Sequence, residues 1–159
     1  SFVLFNQTNA FTDKDNKGAQ STGREDLSFL EARNSNFKKG RDALKQAIKY
    51  NNKKKFEKSS KRLNKAIKYF VSAYKENPDS IEILSYLGLT YYMVGDNIMS
   101  EIYYQQALAI DPENNLINQR LGELYFNTKR TDLAKERLKI LSNCDCKEYS
   151  NLKLIIDGK

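Results

Sequence analysis

Residues 87–112, LGLTYYMVGDNIMSEIYYQQALAIDP, and residues 121–146, LGELYFNTKRTDLAKERLKILSNCDC, say nearly the same thing at an offset of thirty-four positions. Leu87, Gly88 and Tyr91 recur as Leu121, Gly122 and Tyr125. Working backwards, Ala66, Phe70, Ala73 and Pro78 recur as Ser100, Tyr104, Ala107 and Pro112, and the first three recur again as Ala134, Leu138 and Leu141. A fixed period of this length marks an array in which no unit buries its apolar face alone and each stacks on its neighbour.

Composition narrows the class. Apolar residues make up 40% of the 159 positions and charged residues 30%, a balance that suits a helical protein. With only 7 Gly and 2 Pro, long regular elements are favoured over a turn-rich β architecture. No stretch approaches the apolar length of a membrane span. The chain has no His, so the commonest general base and metal ligand is missing, which argues against most hydrolytic and zinc chemistry. The formal net charge is +7, but residues 38–75 hold 14 Lys or Arg against Asp42 and Glu57 alone. That segment is strongly basic and the rest of the chain is mildly acidic, so any electrostatic function belongs to it.

The start, SFVLFNQTNA, combines an apolar run from Phe2 to Phe5 with small residues at Thr8 and Ala10. It reads either as the back half of a secretory signal over 1–10, which would start the mature chain near Phe11 and place it in the periplasm or otherwise outside the cytoplasm, or as a partly buried apolar N-terminus that pads the first helix. Residues 11–22 are polar and are expected to be a flexible lead-in, and Thr22 and Glu25 have capping-box spacing that predicts a helix start. Stripe positions follow at Leu27, Leu30, Asn34, Phe37, Arg41, Leu44 and Ile48, up to a break at Asn51-Asn52. A second stripe, Phe56, Ser60, Leu63, Ile67, Phe70 and Tyr74, ends before Asn77-Pro78, where proline stops the helix. Together 23–78 read as an elongated basic hairpin containing a degenerate first repeat. Two compact hairpins follow over 79–112 and 113–146. Their helices are expected near 80–94, 97–110, 114–128 and 131–143, with turns at Gly95-Asp96 and Lys129-Arg130. Residues 147–159 supply a capping helix rich in Leu and Ile.

These residues resemble the tetratricopeptide repeat over roughly 37–157: Leu-Gly then an aromatic on the first helix of a unit, and on the second a small residue, an aromatic, another small residue and a closing Pro. The resemblance implies an all-α solenoid of helical hairpins, a right-handed superhelix whose concave groove grips a peptide or partner protein. Gly88 and Gly122 are expected to let paired helices approach closely, since a Cβ there would meet the partner backbone. The first unit matches only in its second helix, because Lys53, Lys54 and Glu57 stand where Leu, Gly and Tyr belong. The third lacks its closing Pro, with Cys146 in its place. Carried onto this chain, the groove falls on Glu82, Ser85, Tyr86, Leu89, Tyr92 and Met93, then on Leu116, Gln119, Arg120, Glu123, Phe126 and Asn127. The carboxylate clamp of some members would need Lys, Asn and Arg where this chain has Asn51, Lys55, Tyr86, Leu116 and Arg120, and only Arg120 fits. Tyr, Met and Leu in the groove point instead to an apolar or aromatic ligand segment. The C-terminal stretch also resembles small exported bacterial members of the family.

Two sharper signals carry alternatives. The basic segment is either a solvated helix face or a surface for an acidic protein, an anionic envelope surface or, least readily, nucleic acid. Cys144-Asp145-Cys146 is either structural, reduced or bridged, or it contacts a soft metal such as Cu(I), or it exchanges thiols. A C-x-C pair alone is an unspecific metal signal. No phosphate loop and no nucleophile with its base is present, and no cofactor is implied. The reading is therefore a non-enzymatic protein-interaction scaffold. The alternatives are a thiol-dependent metal or redox accessory protein and an electrostatic adaptor acting through the basic hairpin.

Overall fold

The computed structural model describes the backbone of residues 27–158 and the side chains of residues 35–158. The signal-like stretch, the lead-in and the capping box at Thr22 lie outside the described residues, as do the side chains of the first stripe positions. Those described form seven helices and no strand: α1 Leu27–Asn52, α2 Phe56–Glu76, α3 Ile81–Val94, α4 Asn97–Ile110, α5 Asn115–Asn127, α6 Thr131–Leu141 and α7 Lys147–Asp157. Consecutive helices pair as α1/α2, α3/α4 and α5/α6, and α7 packs on α5 and α6.

The period is visible in the chemistry of the helix ends. Ser80 and Asn114, thirty-four residues apart, cap α3 and α5 by accepting from the backbone N–H three residues on, at 3.3 and 3.2 Å. Asp96 caps α4 in the same way, accepting from Met99 at 3.0 Å. Each such cap satisfies one of the backbone donors that a helix start leaves without a partner, worth about 1 kcal/mol. The three hairpin turns are also equivalent. Lys54, Gly95 and Lys129 occupy the left-handed region with φ of 56°, 94° and 65°. In each turn the next residue donates to a tyrosine carbonyl five positions back: Lys55 to Tyr50, Asp96 to Tyr91 and Arg130 to Tyr125, at 2.8–2.9 Å. This is the Schellman arrangement that terminates a helix by satisfying its last carbonyls.

The core runs along the hairpin seams. Leu84, Leu87, Tyr104 and Ala107 are buried in the second hairpin, Leu121, Leu124 and Ala134 in the third, and Leu152 on the cap. Gly88 carries the close approach in the second hairpin, but its neighbour is not the backbone expected from the sequence. A Cβ there would stand 2.4 Å from the Tyr104 ring, so glycine makes room for an aromatic side chain. At Gly122 the Cβ would meet Leu152 of α7 at 2.5 Å and the Arg137 Cβ at 3.1 Å, because the third unit's Leu138 is only half-buried. The capping helix thus supplies the filler that Tyr104 supplies one unit earlier.

The first hairpin departs most from expectation. Helix α1 runs through Asn52, and the break falls at Lys53–Lys55. On α2 the buried positions are Ser59, Leu63, Ala66, Phe70 and Ala73, whereas Phe56 and Ser60 of the expected stripe are exposed. On α1 the buried line is Gly40, Ala43, Leu44 and Ala47, with Phe37, Arg41 and Ile48 half-buried beside it. Gly40 faces Phe70, with a Cβ-to-ring distance of 2.6 Å, as Gly88 faces Tyr104. The first unit therefore has its glycine, fourteen residues before the Lys54 position to which a constant period assigns it.

Those fourteen residues are divided equally. Helix α2, at 21 residues, is seven longer than α4, at 14, and α1 carries the other seven. Seven residues come within about 20° of two whole turns, so the lengthened helices keep the same faces together. The added turns even repeat a contact. Ser100 Oγ donates to the Gly88 carbonyl at 2.8 Å, and Ser59 Oγ donates to the Ala47 carbonyl at 2.9 Å. Ala47 lies seven residues after Gly40, and Ser59 seven before Ala66. At 1.5 Å per residue the first hairpin reaches about 10 Å beyond the repeat length.

Candidate interaction surfaces

Helices α1, α3 and α5 lie side by side and form one face. Phe37 of α1 meets Tyr86 of α3 edge-on with ring centroids 5.3 Å apart, and Phe70 packs on both rings. Between α3 and α5, Arg120 Nη1 donates to Ser85 Oγ at 3.1 Å, and Asn127 Nδ2 donates to the Tyr92 hydroxyl at 2.5 Å. These polar bridges fix the spacing of neighbouring units across the face. On the other side Tyr91 stacks on Tyr103, Tyr74 meets Tyr103 edge-on, and Tyr74 donates to Gln106, tying α2 to α4.

Of the groove residues expected from the sequence, Tyr86, Tyr92, Met93, Arg120 and Phe126 are half-buried, while Glu82 and Asn127 are exposed. Leu89 and Gln119 are buried at 6% and 3% exposure, so they pack the interior and offer little surface. Ser85 is buried as well, as the acceptor for Arg120, and Leu116 is exposed at the start of α5.

Glu123 is buried at 8% exposure. Desolvation pushes its carboxyl up to about 7, and the nearby positive charge of Arg120 only partly opposes this. The hydroxyl of Tyr92 is raised too, first by burial, with the Glu123 charge adding to it and the Asn127 hydrogen bond opposing. The floor of this face therefore holds a carboxyl that titrates near neutrality.

A constant period misses the contribution of α1. It assigns Asn51 and Lys55 to the groove, but both sit at the end of the lengthened hairpin. Allowing for the fourteen inserted residues, the equivalent positions are Phe37 and Arg41. Arg41 lies over the Phe37 ring, 5.7 Å from its centroid, and Phe37 touches Tyr86. The readable signal was the recurrence of Ala47, Tyr50 and Ser59 as Gly88, Tyr91 and Ser100 at an offset of forty-one.

The basic segment forms the flanks and end of the α1/α2 hairpin. Lys58, Lys61, Arg62 and Lys65 line a shallow cleft of about 440 Å³ beside Tyr50. The ammonium groups of Lys39 and Lys65 lie 6.0 and 5.8 Å from the Tyr69 ring. Cys144 and Cys146, between α6 and α7, are joined by a disulfide, with Cα atoms 5.2 Å apart. Among the described residues no three Cys, Asp or Glu side chains come together as a metal site, and no helix is long and apolar enough to cross a membrane.

Antiparallel hairpins, each with its glycine against a bulky side chain, stacked with one face lined by the first helix of each, define a helical-repeat solenoid. Residues 82–114 match the family model of the tetratricopeptide repeat. The seven helices of the described residues form an all-α array consistent with a solenoid of such repeats, a fold that in general supports protein–protein interaction and is typically non-catalytic. A search of the curated proteins found no significant match.

Proposed function

We propose that the chain is a non-enzymatic scaffold that takes a peptide or partner protein on the face lined by α1, α3 and α5. The observation that supports this reading is the contact of Phe37 with Tyr86 under Arg41, continued by the Arg120–Ser85 and Asn127–Tyr92 bridges, with Met93 and Phe126 half-buried on the same helices α3 and α5. Aromatic and Met side chains backed by fixed polar bridges offer apolar anchoring with defined register. The guanidinium groups suit a ligand segment that also carries an acidic or carbonyl-rich stretch. The lengthened basic hairpin is a second surface, for an acidic partner or an anionic envelope surface. The signal-like stretch at 1–10 supports an exported, periplasmic-type location, in keeping with small exported bacterial members of the family.

The test is selection of binding peptides from a displayed random library, followed by affinity measurement on variants. Tyr86→Ala with Phe126→Ala should weaken the selected peptides without unfolding the chain. Ile98→Asp with Ile102→Asp, on exposed positions of α4, should leave binding unchanged. The opposite pattern would move the binding face to α4 and overturn the reading.

A further inference from the structure

Independently of that face, we propose that the end of the α1/α2 hairpin docks on a bilayer surface containing anionic phospholipid, with Phe56 entering the headgroup layer. Phe56 is 64% exposed, and it is the one aromatic among the large exposed apolar side chains of the described residues. It is the first residue of α2, directly after the turn, at the outermost point of the hairpin. Lys53, Lys54, Lys55 and Lys58 flank it, and all are exposed. The acidic residue of this end, Glu57, is occupied by Lys61 at 2.7 Å. An apolar aromatic surrounded by cations is the chemistry of an interfacial anchor: the ring partitions below the headgroups while the ammonium groups stay among the phosphates.

Geometry favours a planar partner over the other polyanions. The two extra turns carry this end about 10 Å beyond the repeat length, so it can meet a flat surface end-on. The all-cationic cleft beside Tyr50 lies on the flank of the same hairpin, where headgroup phosphates would reach it as the end settles. A nucleic-acid strand would call for open aromatic rings along a cationic track. Of the two flank rings here, Tyr69 already carries the ammonium groups of Lys39 and Lys65, and Tyr50 is half-buried beside the cleft.

The chain contains no Trp, so Phe56→Trp gives a single indole reporter at the site. Vesicles of mixed phosphatidylglycerol and phosphatidylcholine should shift its emission to the blue, and brominated acyl chains should quench it. Pure phosphatidylcholine vesicles should do neither, and raising the salt should reverse binding. In co-sedimentation, Phe56→Ser in the full chain should weaken partition by about tenfold, as expected for losing a buried aromatic. Lys53→Glu with Lys54→Glu and Lys55→Glu should abolish it. All these positions are exposed, so folding should be unaffected, and circular dichroism checks this. Sedimentation with vesicles but no change in indole emission would overturn the insertion of position 56. Absence of vesicle binding, with tight binding of an oligonucleotide or of polyglutamate, would overturn the proposal in favour of nucleic acid or an acidic protein.

Discussion

Gly40 stands against the ring of Phe70, so close that a Cβ would come within 2.6 Å of it. Phe70 is fully buried and packed on Phe37 and Tyr86, so it has little room to retreat. Gly40→Val and Gly88→Val should each destabilise the chain by about 1–3 kcal/mol through overpacking. Pairing Gly88→Ala with Tyr104→Leu should recover part of the loss, because the smaller side chain vacates the space. Urea midpoints of the single and double variants measure this coupling. Independent, additive effects would show that the glycine does not serve the ring.

Lys54 and Lys129 hold a backbone conformation that their Cβ disfavours, in turns where Gly95 serves the second hairpin without that cost. Lys129→Gly should therefore stabilise the chain by up to about 1 kcal/mol, offset in part by the greater freedom glycine gives the unfolded state. The matched change Gly95→Lys should destabilise by a similar amount. Thermal melts of the two variants should move in opposite directions.

Glu123 sets a pH dependence whose sign is unusual for a carboxylate. Its folded pKa, about 7, lies above the ordinary value of 4.5, so the folded chain holds a proton that the unfolded chain releases. Below about pH 4.5 both states are protonated and the residue costs nothing. As pH rises from there towards 7, the unfolded state ionises first and stability falls. Above 7 the loss is complete, on the order of 1–3 kcal/mol. Glu123→Gln should flatten this slope and stabilise the chain at pH 8 relative to the parent. Denaturation midpoints for both chains across pH 4–8 give the comparison. A parent that gains stability through this window relative to Glu123→Gln would refute the assignment.

The disulfide between Cys144 and Cys146 closes a very short loop. Loop-closure entropy then limits its contribution to less than about 2 kcal/mol. Cys144→Ser with Cys146→Ser should lower the melting temperature slightly and leave peptide capture on the α1/α3/α5 face unchanged. Loss of capture in the double variant, with folding intact, would restore a thiol-dependent role.

Much of this architecture could be read from residue types because Leu87-Gly88-x-x-Tyr91 and Leu121-Gly122-x-x-Tyr125 repeat local chemistry at a constant spacing. Helices α3 to α6 fall within a residue or two of the positions that spacing predicts. The constant period also explains what stayed hidden. Lengthening both helices of the first hairpin preserved every local preference while moving Gly40 away from its expected number. Its α1 contributions, Phe37 and Arg41, were therefore assigned to Asn51 and Lys55. The burial of Leu89 and Gln119 was equally illegible, since it depends on how adjacent hairpins lean together rather than on either helix alone. The partner of Gly122 lay further off still. Leu152 belongs to a helix outside the period, so no internal comparison could nominate it.

The seven-residue increments make the length of the first hairpin a property separable from the array that carries it. Excising residues 41–47 together with 59–65 would join Gly40 to Ile48 and Lys58 to Ala66. The glycine, the tyrosine three residues on, the left-handed turn and the small residue of the second helix would then stand at the spacing of Gly88, Tyr91, Gly95 and Ser100. Excising one segment alone would leave two helices of unequal length and pull the turn out of line. Length at this site therefore changes in matched pairs of double turns, and a chain of this kind can extend or withdraw its foremost end without disturbing a contact in the stack behind it.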